Sequence, residues 1–485
     1  MSTQTVVFSG VSIYLLLMIV VGAYASKKTH TVTEFIVAGR SMPPLLLTTT
    51  IIATWFGGSA IMGSAGAAYD DGLLGVIADP FGAALCLVLV GLFFARLFRR
   101  LKLLTFIDFV DQRYGSIAAA FATVVSIVSN VGWVAGMLVA FGILLESLTN
   151  IPLEYGIVCG AVVVFIYTAV GGLWAVTLTD FIQMLIIMVG LVVLLAVVLV
   201  DVGGWGAVSS QLPEGRLRMI PADNTPSQWL NYLRAWLIFG IADIASSSLT
   251  QRALAARDEK TAVRSFYFGA LGYLAFGMIP VTLGIIASVT MPELGDSESV
   301  IPALAIEHLH PAAIAVFVGA VLAAVMSSAD SALLGAASLI SNNLLPLFKK
   351  NPSDRLGLLV ARLAIPVCGF VAVVIALKAQ MVYDVIVDAN ILLLAAVIAP
   401  FILGVWWPKA NRTGALAAMA AGFVAWLATR VIAPELPGDL IGLGVSLMTM
   451  LVVTPLTQTF DPPRSLVDTD GNPVELSDRL GIFRS

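Results

Sequence analysis

At 485 residues, with 59% hydrophobic and 12% charged positions and a mean hydropathy of +0.97, the chain falls outside the soluble globular class, whose charged fraction is about twice as high. The formal net charge of −4 singles out no partner, and neither nucleic acid nor an obligate protein partner is implied. Apolar runs of about 20 residues, the length that crosses a lipid bilayer, recur from one end to the other.

The apolar pattern predicts thirteen spans, at 6–25, 43–67, 74–97, 118–147, 151–170, 178–201, 229–252, 266–289, 311–345, 358–377, 382–405, 413–432 and 439–458. The first has no basic residue before it and no A-x-A-like exit, so it reads as a retained span and not a cleaved leader. Alternate loops carry Lys27, Lys28 and Arg40; then Arg96, Arg99, Arg100, Lys102 and Arg113; then Arg252, Arg257, Lys260 and Arg264; then Lys349, Lys350 and Arg355; and finally Lys409 and Arg412. Basic loops stay in the cytoplasm. With an odd span count, this leaves the N-terminus outside and the C-terminus inside a plasma (inner) membrane. The tail from Thr457 is polar and too short for a second domain. The chain lacks a GxxxxGK[ST] phosphate cradle, so ATP bound by this chain is not the expected energy source.

Two spans are interrupted. The second contains "ATWFGGSAIMGSAG", Ala53 to Gly66, with four glycines. The seventh contains "FGIADIASSSLT", Phe239 to Thr250, with Asp243 and a triple serine. Small residues in membrane helices also serve close packing. The spacing adds information, because five spans separate the start of one broken segment from the start of the other. Two five-helix halves, each opening on a broken helix and of opposite orientation, are the pattern of an inverted-repeat secondary transporter. The expected layout is an extra span and loop at 1–42, a first repeat at 43–201, a second at 229–405, two C-terminal spans at 413–458 and a cytoplasmic tail at 459–485.

A third polar intrusion, "YTAVGGLWAVTLTDFIQM", runs from Tyr167 to Met184. Gly171 and Gly172 make a turn, and Thr177, Thr179, Asp180 and Gln183 open the sixth span. Two readings stand side by side: a helix start, where acids suit the first turn, or a cation ligand on the path to the cytoplasm. The ninth span contains "AAVMSSADSALL", Ala323 to Leu334. An ionised carboxylate at mid-bilayer costs about 2.5–3.5 kcal/mol, so Asp330 needs a partner. At about 100° per residue Ala324, Ser327, Ser328 and Ser331 form one stripe, with Asp330 on its flank. Hydroxyls, a carbonyl and a carboxylate make an all-oxygen set suited to a hard cation. A single serine in a membrane helix can instead bond its own i−4 carbonyl, which leaves the aspartate unexplained.

"AAVMSSADSALL", "YTAVGGLWAVTLTDFIQ" and "ATWFGGSA" resemble the signature segments of the sodium:solute symporter family, over nearly the whole chain. Within it, "MSSADS", "ATW-GG" and the "GLFFA" of Gly91 to Ala95 are similar to the choline-transporter-like branch. The resemblance implies the all-α leucine-transporter fold, with spans two to eleven as the five-plus-five core. It also implies sodium-coupled import of a small organic solute by alternating access. The implied sodium lies between the second and ninth spans, on the carbonyls of Ala53, Phe56 and Ala324 and the hydroxyls of Ser327 and Ser328. A second sodium of some members maps onto Asp180, Ser327, Asp330 and Ser331, although Asp330 stands where some relatives have serine. The choline branch surrounds a quaternary ammonium with rings. Trp55 and Trp133 match two of those positions, but Ser246 and Ala84 replace two expected aromatics. Asp79 and Asp243 are acids that the choline pattern lacks. They point to an amine-bearing or zwitterionic solute, choline-like or amino-acid-like, and Asp79, before Pro80, could instead cap a helix break.

Three rivals remain: a sodium symporter for a sugar or carboxylate, a passive channel, and an intramembrane enzyme. Tyr383–Asp384 resembles half of a membrane aspartyl protease motif whose Gly-x-Gly-Asp partner is absent. No catalytic residue or cofactor beyond sodium is expected. Cys86, Cys159 and Cys368 are read as core filler, and His30, His308 and His310 have no metal-site spacing.

Overall fold

The computed structural model describes residues 13, 16–25, 27, 29–149, 151–378 and 390–474, and these are helical with two isolated β-bridges. A short apolar helix α1 (Leu16–Ala25) precedes α2 (Val32–Val37), which starts on a reciprocal cap between Thr31 and Glu34. The helix α3 (Pro44–Trp55) ends at Phe56, whose φ of −78° and ψ of 66° leave the helical path. A wide turn at Ser59–Gly63 then leads into α4 (Ser64–Asp71), and the two parts are bent by 64°. The third apolar stretch is also bent, by 51°: a distorted start at Ile77–Gly82 leads to α5 (Ala83–Phe93) and then α6 (Ala95–Leu101).

The amphipathic α7 (Phe106–Tyr114) and long α8 (Ser116–Thr149) follow. Helical residues then run from Leu153 to Asp201 as α9, broken once at Gly172. With φ of 58° and ψ of −154°, Gly172 occupies a conformation that only glycine adopts readily. A side chain there would also meet the Phe35 carbonyl at 2.8 Å. The expected Gly171–Gly172 turn between two spans is therefore present.

After the short α10 (Trp205–Ser209) comes the second interrupted segment. Here α11 (Pro226–Gly240), a tight turn at Ala242–Ala245 and α12 (Ser247–Ala255) replace a continuous helix. Helix α13 (Glu259–Thr290) is capped by Asp258, and α14 (Val300–His308) leads to α15 (Pro311–Leu339). The remaining helices are α16 (Leu345–Phe348), α17 (Asp354–Ala376), α18 (Ile398–Trp406), α19 (Arg412–Ile432) and α20 (Gly438–Thr457).

Seven helices among the described residues are long and apolar enough to cross a bilayer, or up to nine when each bent pair counts as one span. By that measure the thirteen crossings expected from the sequence are not all reached, because Leu16–Ala25 and Asn390–Trp406 are shorter, the expected fifth and sixth spans run together in Leu153–Asp201, and the seventh is divided between α11 and α12. Burial separates the helices. In the span from Val316 to Phe348, 94% of the most apolar stretch is buried, against 22% for Arg412–Ile432 and 28% for Gly438–Thr457. Helix α15 is thus the axis of the molecule, packed on α3, α8, α9, α12 and α17, while α19 and α20 pair at the periphery. On α17 the side chains of Leu363, Val367 and Phe370 face outward, as lipid-facing residues do. Among the cysteines, Cys86 and Cys368 are buried and Cys159 is exposed, so only the first two are core filler. The described residues contain no cluster of metal-ligating side chains of the zinc type.

At one end of the helices Asp108 ties α7 to the turn after α15. Its carboxylate accepts from the amides of Leu104 and Thr105 at 3.0 Å and from the Asn342 and Asn343 side chains at 2.7 Å. Burial pushes this carboxyl above its ordinary range, and those donors oppose the shift. The same end is stapled to the tail by Lys102, which pairs with Asp468 and Asp470.

Candidate functional site

The first break and α15 meet in a patch of oxygen atoms. Ser327 Oγ lies 3.1 Å from the Ala53 carbonyl and 2.9 Å from that of Ala324, and Ser328 Oγ lies 3.4 Å from Ala53 O. Two hydroxyls and two carbonyls thus converge within hydrogen-bond distance of one another. Phe56 sits at the end of α3, where its carbonyl leaves the helical ladder. Such a buried patch of hydroxyl and carbonyl oxygens suits a hard monovalent cation. The approach depends on Gly57, since a Cβ there would lie 2.8 Å from Ser328 Cβ and 2.9 Å from Met137 Sδ. Of the five expected sodium ligands, Ala53, Ala324, Ser327 and Ser328 are in direct contact here, and Phe56 follows at the end of α3.

Below this junction sits a second cluster, wholly buried. Tyr167 Oη donates to Asp330 Oδ2 at 2.7 Å, and Ser331 Oγ lies 3.3 Å from Asp330 Oδ1. Thr50 donates to Asp180 Oδ2 at 2.5 Å. Arg252 joins the two acids: its Nη2 donates to Ser331 Oγ at 2.5 Å and lies 3.9 Å from Asp180 Oδ2, while Nη1 donates to Ser248 O at 2.9 Å. Arg252, Asp180 and Asp330 are each 0% exposed. The sequence reading assigned Arg252 to a cytoplasmic loop, and this is corrected: it is a core cation on α12. A lone buried charge is costly, and pairing is what makes it tolerable. Two acids against one guanidinium leave a formal charge of −1, and Asp180 Oδ1 and Thr177 Oγ1 have no hydrogen-bond partner.

Next to the junction lies a narrow cavity of about 20 Å³, room for about one water. Trp55, Trp133, Asp243 and Ser246 all line it. Trp133 packs edge-on against Phe239 at 6.2 Å, and Asn390 donates to Asp243 Oδ2 at 3.3 Å. Ser246 caps α12 by accepting from the Leu249 amide at 3.3 Å.

Asp79 stands apart from that lining. Its two carboxylate oxygens accept from Tyr273 Oη at 2.8 Å and Ser59 Oγ at 3.0 Å, and Ser64 Oγ donates to its carbonyl at 3.0 Å. Tyr273 also reaches the Trp55 carbonyl at 3.4 Å and packs edge-on against Trp55 and Phe56. Asp79 thus braces the first break from outside, a role different from the helix cap suggested by its place before Pro80, since its carboxylate partners are the Ser59 and Tyr273 hydroxyls. Ala84 is buried on α5. Tyr383 and Asp384 lie outside the described residues. The sequence reading missed Arg252, Thr50, Tyr273, Asn130 and Asn390. A cation two residues after the triple-serine segment was the one available signal.

This arrangement matches a known group of proteins. The sequence profile of the sodium:solute symporter family matches residues 35–422. The chain belongs to the sodium:solute symporter family. Its activity is sodium-coupled symport of a small organic solute, with sodium as the coupling ion. Among curated relatives, the chain is 29% identical over 440 residues to a high-affinity choline transporter of Caenorhabditis elegans, covering 85% of this chain and 75% of that one. It is equally 29% identical over 434 residues to the sodium/pantothenate symporter of Escherichia coli K12, covering 85% and 88%. Among solved structures, a sodium-coupled sialic acid symporter in a substrate-bound outward-open state superposes with a TM-score of 0.80 at 22% identity, over 95% of this chain and 98% of that one. A nucleobase-cation-symport transporter, Mhp1, superposes at 0.61 with 14% identity, over 92% and 98%. These two likenesses establish the fold, that of helical membrane transporters with broken helices.

Proposed function

We propose that the solute carried with sodium bears an ammonium group, held at the cavity between the two breaks by Asp243, Trp55 and Trp133. The observation that carries this reading is the position of Trp55. It lines the cavity, while Ala53, two residues before it, belongs to the oxygen junction. One short stretch of chain therefore touches both ion and solute, which is what coupling requires. Ring faces attract a cation, and a buried acid calls for a positive partner.

In this reading sodium is held by the carbonyls of Ala53, Phe56 and Ala324 and the hydroxyls of Ser327 and Ser328. It fixes the end of α3 against α15 and so shapes the cavity wall at Trp55. Coupling of this kind is reciprocal, typically 5–150-fold in affinity for each partner. Asp180, Asp330 and Ser331 form the second cation site, with Arg252 compensating one of the two acids. The chain crosses the plasma (inner) membrane thirteen times, with its N-terminus outside and its tail in the cytoplasm. Residues 43–201 and 229–405 are the two inverted halves, flanked by 1–42 at the start and by 413–458 and 459–485 at the end. Rocking of the halves about the midplane gives alternating access. The two curated relatives above carry choline and pantothenate by name, and the acids and rings at this cavity favour the cationic alternative over a sugar or a simple carboxylate.

Uptake into proteoliposomes tests the proposal. An imposed inward sodium gradient should drive accumulation of an ammonium-bearing solute, and Asp243→Asn should lose it. Accumulation of a sugar or carboxylate alone, unaffected by Asp243→Asn, would refute the ammonium reading and leave the symporter assignment standing.

A further inference from the structure

The cavity has more hydrogen-bond donors than a simple cation can use. Ser126 on α8 is 1% exposed, lines the cavity, and its Oγ has no hydrogen-bond partner. Asn130, one turn on, donates to the Ser126 carbonyl at 2.6 Å and to Ser247 Oγ at 2.7 Å. A serine hydroxyl that accepts keeps its own proton to give, so Ser247 is a donor in waiting.

The start of α12 adds to this. Within this nine-residue helix, the Leu249 amide is capped by Ser246 Oγ and the Thr250 amide returns to Ser246 O at 3.1 Å. The first two amides, of Ser247 and Ser248, lie outside the helical ladder, and no described hydrogen bond uses them. Both residues line the cavity. A helix start with open amides carries partial positive charge and binds anionic groups. Asp243 does not satisfy it, because the partner of its carboxylate is Asn390.

We propose that the solute is a zwitterion whose carboxylate is held by the α12 start together with Ser126 and Ser247, while its ammonium group meets Asp243 and the two tryptophans. The inference rests on the ammonium reading above and names the other end of the same molecule. A monocation of the choline type neutralises Asp243 but offers at most one hydroxyl to these donors. A carboxylate offers about four acceptor positions. The site then discriminates against cations through buried donors left without partners, a strong source of selectivity.

Matched probes test this on the purified full-length protein in sodium-containing nanodiscs, by direct calorimetric titration. The first pair is glycine betaine and choline, and the second set is β-alanine, propylamine and propionate. In each the zwitterion should bind about tenfold or more tightly than the matched cation, the scale of hydrogen bonds to a charged group. Ser126→Ala should narrow that ratio by weakening the zwitterion more than the cation, with a wild-type melting profile by fluorescence size-exclusion chromatography showing that the variant is folded. Choline or propylamine binding as tightly as its zwitterion overturns the proposal and leaves the ammonium reading intact. Propionate binding as tightly as β-alanine, or no binding by any of the five, overturns both.

Discussion

The two broken helices use one device for opposite chemistry. At Phe56–Gly58 the chain opens where it presents acceptors, with the hydroxyls of Ser327 and Ser328 on α15 pressed against the Ala53 carbonyl. At Ile241–Ser246 it opens to present an acid, Asp243, and the donor-rich start of α12. The first break is closed tightly by glycine, and the second is padded by serines. A break that holds a bare ion must be narrow and rigid, whereas one that holds a molecule must leave room and offer varied partners. Trp55 lies where the two meet, which places ion and solute within reach of one strip of backbone.

The largest expected effect removes the narrowness of the first break. Gly57→Val should bring sodium-driven uptake to background and reduce folded yield, since even a Cβ overlaps Ser328 and Met137, and overpacking costs about 1–3 kcal/mol or more. Melting by fluorescence size-exclusion chromatography checks it. Wild-type melting and uptake in this variant would show that the two helices are not in close contact.

Next in size is the charge cluster that anchors the second break to α9 and α15. Arg252→Met leaves Asp180 and Asp330 without their cation and should cost about 3–5 kcal/mol, read as a lowered melting temperature. Adding Asp330→Asn should recover part of that loss. Absence of any recovery would place the role of Arg252 in packing and not in charge balance.

Asp243→Asn should weaken binding of an ammonium-bearing solute by about 2–5 kcal/mol while leaving sodium binding in the absence of solute nearly intact. Asp79→Asn makes the sharpest contrast with it. As a brace of the first break, it should lower sodium and solute affinity together and modestly, within about 1–3 kcal/mol. A loss confined to the solute would mean that Asp79 touches it directly.

Much of the sodium junction was legible because membrane helices make polarity conspicuous. A stripe of hydroxyls in "MSSADS" and a glycine pair in "TWFGG" have few roles in an apolar run; local spacing set the stripe on one helix face, and the family resemblance paired it with the first break. The turn at Gly172 was readable for the same local reason. What escaped depends on contacts between distant segments. Tyr273 is one aromatic in an apolar helix, and only the fold brings it to Asp79, 194 residues away. Arg252 read as a loop cation because a single positive charge near the end of a span is normally placed at the interface. Its partners Asp180 and Ser331 lie 72 and 79 positions away, beyond the reach of any periodicity. The cavity's serine and asparagine wall escaped for a similar reason: Ser126 and Asn130 look like helix-packing residues until α12 is seen against them.

The central claim is that one sodium ion sits between the first break and α15 and that this site powers the solute. Radiolabelled sodium binding to the purified protein, measured with Ser328→Ala alongside wild type, addresses it most directly. The account predicts saturable binding not displaced by potassium, weakened about tenfold by loss of one hydroxyl ligand, as expected for a bond to a charged partner. It also predicts that a bound ammonium solute strengthens sodium binding in the wild type by the factor by which sodium strengthens solute binding. Equal sodium affinity in wild type and Ser328→Ala, or sodium binding indifferent to the solute, would contradict it.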